Sequence, residues 1–122
     1  MILFSFSLTS CNKEPGTGGT ATIEGTIHTT KYNTSFNTIL GSYNSGNEWV
    51  YIIYGDDISY GDRILTSAEG KFAFQYLCRG NYTIYVYSQD VTLSGQHAVS
   101  KTIEITSTKQ HLNTGIYEIK KK

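Results

Sequence analysis

Asp56, Asp57 and Asp62 form the closest cluster of potential metal ligands in the sequence, and hard carboxylate oxygens at short spacing are what a calcium ion takes. The twelve-residue calcium loop of a helix-loop-helix site is absent, and in the Gly-rich stretch Gly55-Asp56-Asp57-Ile58-Ser59-Tyr60-Gly61-Asp62 the same residues read as turn formers, so calcium is a weak candidate and no other metal is expected. His28, His97 and His111 are scattered, with no His-x-His, His-Glu-x-x-His or Cys-x-x-Cys to hold zinc or iron. Cys78 follows Leu77 at the end of an apolar run and reads as a small buried hydrophobe, because a nucleophilic thiol needs a nearby base. No Gly-x-Ser-x-Gly elbow is present. With no converging acid, base and nucleophile, neither an enzyme nor a cofactor is expected.

The aromatics offer a different chemistry. In Glu48 to Tyr54 the period-2 pattern turns Val50, Ile52 and Tyr54 inward and leaves Trp49, Tyr51 and Ile53 on the other face. From Tyr82 onward, Tyr82, Ile84 and Val86 share one face, and Thr83, Tyr85 and Tyr87 the other. Trp49, Tyr51, Tyr85 and Tyr87 are therefore candidate ligand-binding residues: flat outward rings can stack on sugars or form a protein interface, or pair with one another and stiffen the sheet.

These rings must be carried by strands. Ten Tyr, twelve Gly, many Thr and a single Pro in 122 residues favour pleated strands and tight turns, so almost no helix is expected. The first strand runs over Thr20 to Thr30, with Ile23 and Ile27 inward and Gly25 allowing close backbone approach. Lys31 to Asn47 is polar and is expected to be a binding loop or to hold a short extra strand around Phe36 to Leu40. Ser67 to Asp90 reads as two strands paired in a hairpin, with Phe72, Phe74 and Tyr76 on one face of the first and Gly80-Asn81 at the turn. Ala98 to Thr106 and Gly115 to Ile119 follow, and Lys120 to Lys122 reads as a frayed end. The sum is an all-β Greek-key sandwich of about seven strands.

Gly70-Lys71-Phe72 followed by Leu77, Gly80 and Tyr82 resembles the signature of the carboxypeptidase regulatory-like, or prealbumin-like (transthyretin-like), β-sandwich domains, with Arg79 where Pro often stands. The motif is structural: a turn Gly, core aromatics, and a Tyr that locks a corner by packing and by its hydroxyl. The resemblance implies this fold and a binding or scaffolding role toward a protein or a glycan. Dioxygenases on related sandwiches need paired His ligands, and hydroxyisourate hydrolases end in a motif that Tyr117-Glu118-Ile119-Lys120 does not resemble.

Met1 to Leu8 is apolar and too short to span a bilayer. Leu8-Thr9-Ser10-Cys11 resembles a bacterial lipobox, which implies a signal peptide over 1–10 and lipidation at Cys11, although no Lys or Arg precedes the apolar run. Residues 11–19 then read as a flexible tether and 20–122 as the domain. Residue 12 is Asn, not the Asp of the best-known inner-membrane retention signal, so an outer-membrane lipoprotein anchored through Cys11 is expected. Lipidation of Cys11 would leave Cys78 without a mate in an oxidising compartment. Ten basic and ten acidic residues give a net charge of zero, with no footprint for nucleic acid. The expected function is a non-catalytic envelope module binding a protein partner, or else a carbohydrate-binding or adhesive module.

Overall fold

A computed structural model describes residues 14–89 and 95–122. They form eight strands and no helix: β1 (Thr17–Tyr32), β2 (Ile39–Asn44), β3 (Trp49–Tyr54), β4 (Asp62–Leu65), β5 (Lys71–Leu77), β6 (Gly80–Gln89), β7 (Gln96–Ile105) and β8 (His111–Lys121). Two four-stranded sheets face each other. In the first, β1 pairs antiparallel with β5 through its N-terminal half and with β2 through its C-terminal half, while β8 runs parallel along its other edge. The second is an antiparallel β4-β3-β6-β7 sheet. The all-β sandwich expected from the alternation is the observed architecture.

The core lies between the inner faces. Ile23 and Ile27 of β1, Val50 and Ile52 of β3, Phe72 and Phe74 of β5, Tyr82, Ile84 and Val86 of β6, and Tyr117 and Ile119 of β8 are all buried there. Each set occupies alternate positions of its strand, so the period-2 pattern fixed the faces correctly. The buried hydroxyls of Thr29, Ser45 and Thr66 are satisfied within the fold. Thr29 and Ser45 bond to each other, and Thr66 Oγ1 donates to the Ser45 carbonyl while accepting the Glu48 amide at 2.9 Å.

Four expectations are corrected. Ser67 to Asp90 does not fold as a hairpin: β5 belongs to the first sheet and β6 to the second, and the chain crosses between them at Cys78-Arg79. Alternation assigns a residue to a face but says nothing of which strand lies alongside. Tyr76 does not share the inner face of Phe72 and Phe74. Two residues on β1, from Ala21 to Ile23, span three on β5, from Phe74 to Leu77, so β5 carries a bulge. Tyr76 sits in it at φ 61° with its side chain outward. The stretch up to residue 19 is not all tether, since β1 begins at Thr17 and the Cys78 amide donates to the Gly16 carbonyl at 2.8 Å. The C-terminal lysines are held: the Lys120 amide donates to Ser88 Oγ at 2.9 Å and the Lys122 amide to Gln89 Oε1 at 2.7 Å.

Sandwiches have two open seams where the sheets' edge strands meet, and this one treats them differently. Along β7 and β8, Lys101 points inward from β7, opposite Ile84, and its Nζ donates to the Thr114 and Ile116 carbonyls of β8 at 2.9 and 3.0 Å. The ammonium also lies 4.8 Å from the Tyr117 ring centroid. A charge stitched across the seam satisfies free edge carbonyls and blocks pairing with another chain. Along β4 and β5 no such stitch is present among the described residues, and the seam opens into a cleft.

Candidate functional site

Register builds the aromatic face. On the outer side of the second sheet Tyr51 of β3 is the direct partner of Tyr85 on β6, and their rings stack with centroids 5.0 Å apart and planes 10° apart. Tyr87, two residues further along β6, meets Tyr51 and Tyr85 edge-on, both at 5.6 Å. Trp49 opposes Leu65, and from the neighbouring β4 position the Arg63 guanidinium lies 3.9 Å above the Trp49 ring. The four sequence-derived candidates thus do share one face. One further ring was missed: Tyr60, in the loop between β3 and β4, folds over Tyr51 at 5.0 Å. Loop residues carry no periodicity, so no pattern could have placed it.

The rings are not equally available. Tyr51 and Tyr85 are half-buried against each other, and burial, followed by the neighbouring Tyr87, raises the Tyr85 pKa. Tyr87 is 39% exposed and Tyr60 41%, flanking the stacked pair. The result is a rigid platform with a stacked centre, exposed rings at its margins and phenol hydroxyls that both donate and accept. Ser100, the direct β7 partner of Tyr85, and Thr83 add neutral hydroxyl groups beside it.

The cleft of the β4–β5 seam has a volume of about 300 Å³. Phe74 and Ile64 form part of its apolar wall, and Tyr54, Asp62, Gln75 and Tyr76 bring polar groups to it. Tyr54 packs edge-on against Tyr82 at 6.0 Å and is held from below by Gly61, whose amide donates to the Ile52 carbonyl at 2.8 Å. A Cβ at Gly61 would fall 2.2 Å from the Tyr54 ring, so only glycine lets the ring lie there. Burial raises the Tyr54 pKa, with the Asp62 carboxylate and then Tyr82 adding to it. Tyr54 therefore remains a protonated donor near a carboxylate acceptor.

The other candidates do not converge. Among the described residues no group of three His, Cys, Asp or Glu side chains could hold a metal ion, and Asp56, Asp57 and Asp62 do not form one. The Asp57 amide closes a turn on the Tyr54 carbonyl at 3.1 Å, while Asp62 begins β4 and accepts the Arg63 amide at 2.8 Å. Asp90 lies outside the described residues. His28 Nδ1 meets Glu118 Oε1 at 2.9 Å and His111 Nε2 meets Glu24 Oε1 at 3.1 Å, two separate contacts between β1 and β8. Cys78 is disulfide-bonded, not the lone thiol expected. Cys11, the other cysteine of the sequence, lies outside the described residues.

No protein-family model matches the chain, and no curated protein does. Among solved structures the fold is similar to the crystal structure of a Pseudomonas aeruginosa protein put forward as carbohydrate binding, with a TM-score of 0.53 and 14% identity, over 88% of this chain and 94% of that one. At this identity the likeness concerns the fold alone.

Proposed function

We propose that the protein is an exported, non-catalytic binding module of the cell envelope, a prealbumin-like sandwich that holds a glycan on the tyrosine face of its second sheet. The observation that carries this reading is the platform of Tyr51, Tyr60, Tyr85 and Tyr87 beside the Trp49–Arg63 pair. A sugar presents an apolar C–H face and a ring of hydroxyls. Exposed aromatic rings match the first and phenol and serine hydroxyls the second, at low entropy cost because the rings already brace one another. The role put forward for the Pseudomonas protein of similar fold points the same way.

On this reading Tyr87→Ala weakens glycan binding on the order of tenfold, a loss of about 1.4 kcal/mol. The melting temperature should hardly move, because the ring is partly exposed and Val86 and Ser88, not Tyr87, face the core. A glycan array probed with wild type and variant decides it, and an array bound equally by both would remove the face from the site. A second reading, a protein partner, is favoured by β2, an edge strand whose Ile39, Leu40 and Tyr43 are all exposed. Capture of an envelope protein that is lost on Leu40→Lys, with the array silent, would establish it instead.

Export is the common premise of both uses open to Cys11. Its sulfur can carry the diacylglycerol of an outer-membrane lipoprotein, which leaves the disulfide of Cys78 to a cysteine of another molecule, or be the mate of Cys78 itself, and one sulfur cannot do both; disulfide bonds in turn persist in oxidising compartments outside the cytosol. Under the anchor reading, Cys11→Ala moves the protein from the membrane fraction to the soluble one. If partition is unchanged while the variant loses stability of about 2–4 kcal/mol, Cys11 is the mate of Cys78 and the module is not lipid-anchored.

A further inference from the structure

At the β4–β5 seam the sandwich leaves a cleft with a strained aromatic at its rim. Tyr76 occupies the left-handed region at φ 61°, where a bulky side chain is an outlier, and its side chain is 67% exposed. Neither feature serves the core. A glycine or asparagine would take this conformation with less strain, and an exposed tyrosine gives no packing in return. Bulges re-aim side chains, and this one turns Tyr76 out of the Phe72–Phe74 row to the mouth of the cleft. Strain of this kind persists where the surrounding structure imposes it, and it concentrates at ligand sites.

Opposite Tyr76 the cleft is lined by Asp62 with its carboxylate, Tyr54 with its hydroxyl and Ile64, and on the side of Tyr76 itself by Gln75, with a donor-acceptor amide, and Phe74. A carboxylate accepts two neighbouring hydroxyls at once, an amide donates to one oxygen and accepts from another, and an aromatic ring covers C–H bonds. That set is complementary to one pyranose ring, and the volume of about 300 Å³ accommodates one with water at its margins. The cleft lies one strand away from the tyrosine platform. β4 is four residues long, with Arg63 turned to the platform and Asp62 and Ile64 turned to the cleft, so a chain laid on the face reaches the cleft by crossing a single strand.

We propose that the β4–β5 cleft, formed by Tyr54, Asp62, Gln75 and Tyr76, receives the terminal sugar unit of the glycan held on the tyrosine face. The inference rests on the glycan reading given above and adds to it a second subsite with a preference for chain ends.

The test uses the full-length chain, a panel of methyl hexopyranosides, and the oligosaccharide that scores best on the array. Saturation-transfer NMR should detect weak, saturable binding of at least one methyl glycoside. Tyr76→Asn, which suits the left-handed backbone, and Asp62→Asn, which keeps the shape, should each weaken that binding tenfold or more. Tyr76→Asn should leave the melting temperature unchanged or raise it, which separates lost recognition from lost folding. Oligosaccharide binding that falls with Tyr87→Ala but is indifferent to Tyr76→Asn and Asp62→Asn overturns the cleft and leaves the face standing. Silence of every sugar overturns both. Binding of lysine-containing peptides in the cleft, abolished by Asp62→Asn while glycosides are ignored, overturns the sugar assignment in favour of a cationic peptide.

Discussion

Replacing Tyr82 by Ala should cost the domain about 3–5 kcal/mol, the range for truncating a large buried aromatic. Tyr82 is fully buried, and its hydroxyl donates to the Cys78 carbonyl at 2.6 Å and accepts the Gly16 amide at 2.9 Å. One side chain therefore ties three things: the core of the second sheet, the crossing at Cys78-Arg79 that carries the chain between sheets, and the segment leading into β1. Tyr82→Phe keeps the ring and removes only the tie, leaving a buried carbonyl and an amide short of a partner, and should cost about 1–3 kcal/mol. Chemical denaturation of both variants measures the two parts separately, and a loss below about 1 kcal/mol for the alanine would show that the corner does not lock the fold. The same residue bears on alkaline stability. Burial raises the pKa of Tyr82 against the lowering effect of its backbone bonds to Gly16 and Cys78, and burial likewise raises Tyr54, Tyr85 and Tyr117. A raised folded-state value means the fold favours the neutral phenol. This stabilisation is complete below the unfolded value of about 10 and is lost as pH rises beyond it. Tyr82→Phe should accordingly lose less stability than wild type between neutral and strongly alkaline pH.

What the sequence disclosed and what it concealed follow from the range of each signal. Alternation is local, so Val50, Ile52, Tyr82, Ile84 and Val86 could be assigned to the core, and Trp49, Tyr51, Tyr85 and Tyr87 to the outward faces of their own strands, without knowing any neighbour. Pairing is not local. Nothing in Gly115 to Ile119 says that β8 lies parallel to β1, and nothing in Lys71 to Leu77 says that β5 pairs with β1 instead of with the strand that follows it. The Tyr82 corner was legible through the spacing of Gly70, Leu77, Gly80 and Tyr82, because that motif packages a tertiary bond in a short stretch. The cleft was not. Tyr54 read as a core residue, Asp62 as a turn former and Tyr76 as an inward neighbour of Phe74; only the bulge, which leaves the apparent alternation intact, turns the last of them outward. Lys31 to Asn47 was expected to be a binding loop or to hold a short strand around Phe36 to Leu40; it holds β2, which begins at Ile39 and closes a hairpin with the end of β1. The Asn33 side chain accepts the amides of Asn37 and Thr38 at 3.0 and 3.2 Å, and β2 then returns along β1.

The start of β1 supplies the second large effect. Gly19 passes so close to the end of β5 that a Cβ would fall 2.2 Å from the Leu77 carbonyl oxygen and 2.9 Å from the Cys78 Cα. Both obstacles are backbone, so no rotamer change relieves them, and Gly19→Ala must displace either the β5 end or the segment preceding Gly19. That segment is bound by Cys78 N–H to the Gly16 carbonyl and by Gly16 N–H to Tyr82, whereas the β5 end is fixed in the core by Leu77. The weaker side gives way, the residues before Gly19 undock, and the Tyr82 hydroxyl loses its contacts to Gly16 while keeping Cys78. The expected cost is about 2–3 kcal/mol. Because the damage starts at one edge, amide exchange should accelerate at Cys78 well beyond its change at Ile84 in the centre of the second sheet. Gly95→Ala, where an added Cβ meets nothing within 4 Å, is the control and should leave stability within about 0.5 kcal/mol. Equal, small effects of the two substitutions would mean that residues 14–19 do not dock on the sandwich, and the boundary of the domain would return to Thr20.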